Sequence, residues 1–142
     1  MSETIFAKIL NGTVEASFVY KDDIVSAFMD LHPVNPGHTL VVPNKPTAGL
    51  ADLDDTTAAH MFNVARAIAA AIRRSDIDCE GVNLLLADGE AAGQEVFHVH
   101  LHVIPRRSGD GFGFTYAAHS FQMASRASLD ETARKIRNAF SD

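Results

Sequence analysis

Residues 98 to 106 read His-Val-His-Leu-His-Val-Ile-Pro-Arg, and three of the chain's seven histidines fall at alternate positions within them. On a strand, successive side chains leave on opposite faces, so His98, His100 and His102 share one face while Val99, Leu101 and Val103 share the other. The aliphatic face is ordinary core material. The histidine face needs a further reason, because the outer face of a half-buried strand asks only for generic polar residues such as Thr, Ser or Lys. Imidazole is the side chain that titrates near neutrality, attacks electrophiles and binds metals.

Two chemistries compete for such a row. A His-x-His pair can converge on one metal ion. The third histidine strains that reading: at a rise of about 3.3 Å per residue, the Cα atoms of His98 and His102 stand about 13 Å apart, a spread that bonds of about 2 Å gather poorly. The row also suits a phosphoryl group. A neutral imidazole attacks phosphorus without a metal when its remote nitrogen is held by an acceptor and donors meet the developing charge. Neighbouring histidines can then protonate a leaving group or contact the nonbridging oxygens. The preceding loop, GEAAGQEV, offers Gly89 and Gly93, where backbone N–H groups can approach an anion, and the amide of Gln94. His32, His60 and His119 stand alone and are read as solvent-facing or locally hydrogen-bonded.

The elements that must position this row are legible in outline. A short helix is expected from Thr4 to Leu10, closed by Asn11-Gly12. SFVYKDD and IVSAFMDL form a hairpin about the polar turn Lys21-Asp22-Asp23. Pro33, Pro36, Pro43 and Pro46 bracket a strand over Thr39 to Val42, as prolines at strand ends do. Residues 54 to 74 carry the main helix, with Asp54, Asp55 and Thr56 as N-cap candidates and Met61, Ala65, Ile68 and Ile72 at helical spacing. GVNLLLA and VFHVHLHVIP are the last two strands. A C-terminal helix is expected to start from a capping box, Ser128 with Glu131, and to carry Leu129, Ala133, Ile136 and Phe140 as its apolar stripe. The sum is an α+β fold with an antiparallel sheet of about five strands.

Composition narrows the classes. The 142 residues suit a single domain over 1–142. With 12 Lys and Arg against 18 Asp and Glu, and no basic run beyond Arg73-Arg74 and Arg106-Arg107, a nucleic-acid partner is not expected. The single cysteine, Cys79, forms no intrachain disulfide and is expected as a buried strand-end residue. The start MSETIF has no signal-peptide pattern, and no apolar run reaches the roughly 20 residues of a membrane span, so a cytoplasmic chain with no membrane partner is expected.

His98 to Ile104 resembles the His-φ-His-φ-His-φ-φ motif, φ being apolar, of the histidine triad (HIT) superfamily of nucleotide hydrolases and transferases. TIFAKIL, AFMDLHPVNPGHTLVVP and GQEVFHVHLHVIPR resemble its three sequence blocks in order, over about residues 4–107, leaving about 108–142 as a C-terminal extension with a helix. The resemblance implies a HIT-like fold: a five-stranded antiparallel sheet with a central helix, paired as a homodimer. It also implies attack by a histidine on the α-phosphate of a purine nucleoside phosphoramidate or phosphoanhydride, through a covalent nucleotidyl-histidine. By that resemblance His100 is the nucleophile, His102 contacts the phosphate and assists proton transfer, and His98 orients the site by hydrogen bonding, with support from His38. Asp30 matches the carboxylate that accepts from the ribose hydroxyls. Phe6, Phe28 and Leu31 match the walls around the base, and Gly93, Gln94, Glu95 and Val96 the phosphate loop.

Departures from the pattern matter too. Thr4, Ala7 and Thr47 stand where some bacterial members have the Cys-x-x-Cys and His of a structural zinc site, so no metal is expected and no cofactor is required. Ala87 replaces an asparagine of the Hint branch, and Glu95 a Ser or Thr that serves the leaving group; a carboxylate near a phosphate is unfavourable unless it points away or is protonated. The Hint-type tail with tryptophan is absent. The resemblance is to a bacterial HIT-type nucleotide hydrolase related to the Hint and Fhit branches, and the alternatives are a diadenosine polyphosphate hydrolase of the same family and a nucleotide-binding or interaction protein with negligible turnover.

Overall fold

The computed structural model describes residues 3–140, and the chain divides between Gly111 and Phe112 into two compact units. The first unit begins with α1 (Ile5–Leu10). The hydroxyl of Thr4 caps it by accepting the Ala7 N–H at 3.1 Å, and Phe6 and Ile9, three residues apart, bury one face. Strands β1 (Phe18–Lys21) and β2 (Val25–Met29) follow as the expected hairpin. Its tip is held by the Asp22 carboxylate, which accepts the N–H groups of Ile24 and Val25 at 2.8 Å each.

Next come β3 (Thr39–Pro43), α2 (Asp55–Arg74), β4 (Gly81–Leu85) and β5 (Leu101–Arg106). Asp54 caps α2 by accepting the Thr57 N–H at 2.8 Å. The sheet runs β1-β2-β3-β5-β4 with every neighbouring pair antiparallel, the α+β arrangement expected from the sequence.

Strand alternation divides the sheet's two faces between two clusters. Val25, Ala27, Val41, Leu101 and Val103 point toward α2 and pack on Met61, Val64, Ala65, Ile68 and Ile72. Phe28, Leu40 and Val42 face the other way, toward Phe6 and Ile9 of α1. The register pairs Leu40 with His102 and Val41 with Leu101, so the histidines belong to the α1 face. That face is covered: His98 is 0% and His100 7% exposed, whereas the sequence reading treated it as the outer side.

The strand itself is shorter than expected. VFHVHLHVIP does not run as one strand; β5 starts at Leu101 and leaves His98 and His100 ahead of it. The cause is Pro43 at the end of β3, which has no N–H to continue a ladder. Pairing of β3 with β5 stops at Val41 and Leu101. Beyond it the Val99 N–H donates to the Thr47 carbonyl at 2.7 Å, and the His98 ring takes the Pro43 carbonyl. Val99 still packs with the α2 cluster, so the alternation of faces survives the loss of the ladder. Cys79 is half-buried just before β4, its thiol donating to the Gly81 carbonyl at 3.3 Å.

In the second unit, α3 (Arg126–Phe140) starts earlier than expected. Ser125, not Ser128, caps it by accepting the Ser128 N–H at 3.1 Å, and Glu131 pairs with Arg134 at 2.6 Å instead of closing a capping box. The helix thereby gains nearly a full turn. Leu129, Ile136 and Phe140 of its stripe are exposed. Among the described residues, no helix is long and apolar enough to cross a membrane.

Burial predicts where truncation hurts. Ile68→Ala, inside the α2 cluster, lowers unfolding free energy by about 2–5 kcal/mol, and Ile136→Ala on the exposed stripe changes it by less than about 0.5 kcal/mol. Urea unfolding midpoints compare the two, and equal losses would contradict this division of the core.

Candidate active site

A pocket of about 360 Å³ opens on the α1 face of the sheet. Of the twelve residues singled out from the sequence, nine line it: His100, His102, Asp30, Phe6, Phe28, Leu31, Gly93, Glu95 and Val96. His98, His38 and Gln94 stand behind the wall, all below 5% exposed.

Phe6 and Phe28 meet edge to face with ring centroids 5.5 Å apart, and Phe6 meets His100 in the same manner at 4.9 Å. The aromatic wall thus fixes the nucleophile candidate as well as an apolar floor. Behind it, His98 Nε2 donates to the Pro43 carbonyl at 2.8 Å, and its Nδ1 lies 3.3 Å from the Thr4 hydroxyl. The carbonyl of His98 in turn accepts from His100 Nδ1 at 2.8 Å. A carbonyl only accepts, so the hydrogen of a neutral His100 ring is on Nδ1 and its lone pair is on Nε2. That is the held remote nitrogen which attack on phosphorus requires.

On the other side of His100, the His102 ring lies 5.0 Å away, centroid to centroid. His102 Nδ1 is 2.8 Å from His38 Nε2, and the Val34 N–H donates to His38 Nδ1 at 3.0 Å. His38 reaches this position because the 31–37 loop folds over it. Gly37 permits the fold with φ +99°, and a Cβ there would come within 3.0 Å of Pro105 and 3.2 Å of Ile77. Asp30, directly after β2, uses Oδ1 to accept the His32 N–H at 2.8 Å and sets Oδ2 3.4 Å from His38 Nε2.

Burial holds His38, His98 and His102 below the ordinary imidazole range, since desolvation disfavours their charged forms. His102 is pushed to about 4, first by desolvation and then by His100 and His38, against the pull of Asp30. These three imidazoles are therefore neutral at physiological pH.

The loop before the histidines differs from its sequence reading. Gly89 and Gly93 adopt φ +95° and +93°, but Gly89 N–H donates to Gln94 Oε1 and Gly93 N–H to the Glu90 carbonyl. Gln94 does not present its amide to the pocket: Nε2 donates to the carbonyls of Ala48 and Val96, and its backbone N–H to that of Gly89. It braces the loop from inside. Sequence spacing also passed over Thr4 and Val34, whose partners His98 and His38 are distant or in a loop, and the pocket-lining Glu15 and His32.

Metal binding fits poorly. Asp30, His38 and His102 offer ligand atoms within 4.8 Å of one another. Two nitrogens on one tetrahedral ion with bonds of about 2.0 Å sit about 3.3 Å apart, while His38 Nε2 and His102 Nδ1 are 2.8 Å apart with a hydrogen between them. Thr4, Ala7 and Thr47 offer neither thiolate nor imidazole beside His98, and Thr47 turns its hydroxyl to the Lys45 carbonyl. A structural zinc does not fit there.

Known proteins share this architecture. The family model described as HIT domain matches residues 11–109. An uncharacterized HIT-like protein of Borreliella burgdorferi is 44% identical over 115 residues, 80% of this chain and 83% of that one. A crystal structure of a HIT family protein from Bacillus anthracis superposes with a TM-score of 0.86 at 40% identity, covering 95% of each chain. That of a HIT family hydrolase from Legionella pneumophila does so with a TM-score of 0.66 at 32% identity, covering 74% of this chain and 94% of that one.

The neutrality of His38, His98 and His102 has a signature in stability. Three imidazoles held below their unfolded value of 6.5 bind fewer protons folded than unfolded, so the stability they confer is complete above pH 6.5 and is lost as pH falls toward 4. Urea midpoints of wild type should drop over that window more steeply than those of His102→Asn. Parallel curves would show that His102 is not buried neutral.

Proposed function

The chain belongs to the HIT family, and from that premise we propose that it is a nucleotide hydrolase cleaving the α-phosphate bond of purine nucleoside phosphoramidates or phosphoanhydrides. The observation that carries this reading is the orientation of His100: Nδ1–H bound to the His98 carbonyl, and the ring lining the pocket beside Asp30 and the Phe6–Phe28 wall. His100 Nε2 attacks the α-phosphorus, the bond from phosphorus to the leaving atom breaks, and the leaving group takes up a proton from water. Water then attacks the nucleotidyl-His100, the P–N bond breaks, and the nucleoside monophosphate leaves with the imidazole restored.

The base rests on Phe6, Phe28 and Leu31, and the ribose hydroxyls donate to Asp30. At the phosphate end, the backbone N–H groups of Glu95 and Val96 have no protein acceptor among the described residues, which suits them to an anion. No step needs a metal. Glu15 and Glu95 also line the pocket, so an amine leaving group suits it better than a polyphosphate. A homodimer is part of the proposal: β1 and β4 are the sheet's outer strands, where a second copy can add. Sedimentation at micromolar concentration should give twice the mass of 15.3 kDa, and a monomer would remove the dimer.

Incubation with adenosine 5′-phosphoramidate in excess EDTA, quenched at short times, should give AMP and an AMP adduct by intact mass, both lost in His100→Ala. AMP binding without turnover in wild type would replace the hydrolase with a nucleotide-binding protein. Glu95→Ser should raise the rate on a dinucleoside polyphosphate relative to the phosphoramidate by about three- to tenfold, the effect of one screened charge worth about 1 kcal/mol. An unchanged ratio would free Glu95 of any part in leaving-group choice.

A further inference from the structure

The hydrogen bonds behind the pocket determine more than the tautomer of His100. A backbone amide can only donate, so the Val34 N–H at 3.0 Å obliges His38 Nδ1 to carry a lone pair, and the hydrogen of a neutral His38 sits on Nε2. His38 Nε2 is 2.8 Å from His102 Nδ1, a distance that holds one hydrogen. That hydrogen belongs to His38. His102 Nδ1 must then accept, and the hydrogen of His102 is on Nε2. Adjacent rings of the row therefore hold opposite tautomers: His100 offers Nε2 as a lone pair and His102 offers Nε2 as an N–H, and both rings line the pocket.

Protonating His102 would place a hydrogen on Nδ1, facing His38 Nε2. His38 would have to give up its own hydrogen there and take one on Nδ1, where two buried N–H groups, its own and that of Val34, would confront each other at 3.0 Å. Asp30 does not relieve this. Its Oδ2 lies 3.4 Å from the same Nε2, not from Nδ1, so its charge also favours the hydrogen on Nε2. A carboxylate that drives a histidine as a base binds the nitrogen opposite the active one; here that nitrogen is occupied by the backbone.

We infer that the Val34 backbone N–H, acting through His38 as a positioning residue, locks His102 as a fixed Nε2–H donor to the phosphoryl group and bars it from carrying a proton during turnover. This rests on the phosphoryl-transfer reading above, deepens it, and corrects the proton-transfer role implied for His102 by resemblance. His102 stabilises charge on the nonbridging oxygens as a preorganised donor. It does not act as an acid toward the leaving group.

The test is long-range ¹H–¹⁵N spectroscopy of the full chain labelled at histidine, with the resonances assigned by His38→Gln and His102→Phe. From pH 8 to pH 5.5, His102 should show a pyrrole-type Nε2 and a pyridine-type Nδ1, and His38 the same pattern. A pyrrole-type Nδ1 on His102, or its two nitrogens converging to imidazolium in that range, overturns the inference from the wild-type spectrum alone. Kinetics give a second readout on a series of adenosine 5′-phosphate derivatives of increasing leaving-group basicity. His102→Phe should lose roughly 10²-fold, the usual cost of one such donor, by the same factor across the series; His38→Phe should lose part of that and His38→Gln, which can present an N–H at the same place, less. A loss that grows with leaving-group basicity would make His102 a general acid and overturn the inference. Absence of the nucleotidyl adduct in wild type fails the hydrolase reading instead, while the spectrum still decides the tautomer.

Discussion

The Pro43 carbonyl accepts a hydrogen bond from the His98 ring, and the geometry of the pocket hangs on that bond. Proline cannot extend the ladder between β3 and β5, so the chain on both sides of the break must satisfy its polar groups elsewhere. His98 meets the need with its side chain, which leaves its own carbonyl available to His100. Had the strand continued through residue 98, that carbonyl would have been a rung of the sheet. Interrupting the ladder thus converts one backbone acceptor from a structural group into the group that orients the His100 ring.

Around this break the sheet keeps its faces apart. The buried residues of the α2 face are all apolar, whereas the α1 face carries four histidines and a carboxylate among the rings of Phe6 and Phe28. Among the described residues, no buried side-chain polar atom lacks a hydrogen-bond partner, so the cost of desolvating so many imidazoles is met locally. The same desolvation keeps His38, His98 and His102 uncharged at neutral pH, so the rings packed around His100 bring no positive charge to the pocket.

Local chemistry in the sequence foretold local structure. The Asp54 cap, the period of α2, the hairpin of β1 and β2 and the sharing of one face by the histidines all follow from spacings of a few residues, and the structure contains each of them. What the spacing could not convey depends on groups distant in sequence or on the backbone itself. The strand over 96–100 failed because its partner ends in proline. Ser128 with Glu131 satisfied a cap pattern, yet Ser125 supplied an equivalent hydroxyl almost one turn earlier and Glu131 found Arg134. Val34 acts through its amide, which no side-chain pattern advertises, and Gln94 looks like a ligand donor until Ala48, 46 residues away, is seen to hold it. The pocket walls and the histidine row were legible; the atoms that set their protonation were not.

The segment between β3 and α2 joins these parts in another sense. Thr47 accepts the Val99 N–H, Ala48 accepts from Gln94, and Leu50 donates to Asp88, so a stretch of four residues fixes both the histidine row and the glycine-bearing loop facing it. In the language of machining, both sides of the pocket are dimensioned from one datum. Displacement of that stretch moves the histidine row and the glycine-bearing loop together and leaves the gap between them nearly unchanged, whereas separate supports would let their errors add. A gap held this way tolerates substitutions in the distant core that shift α2 as a body, and it is most exposed to changes within residues 47–50 themselves.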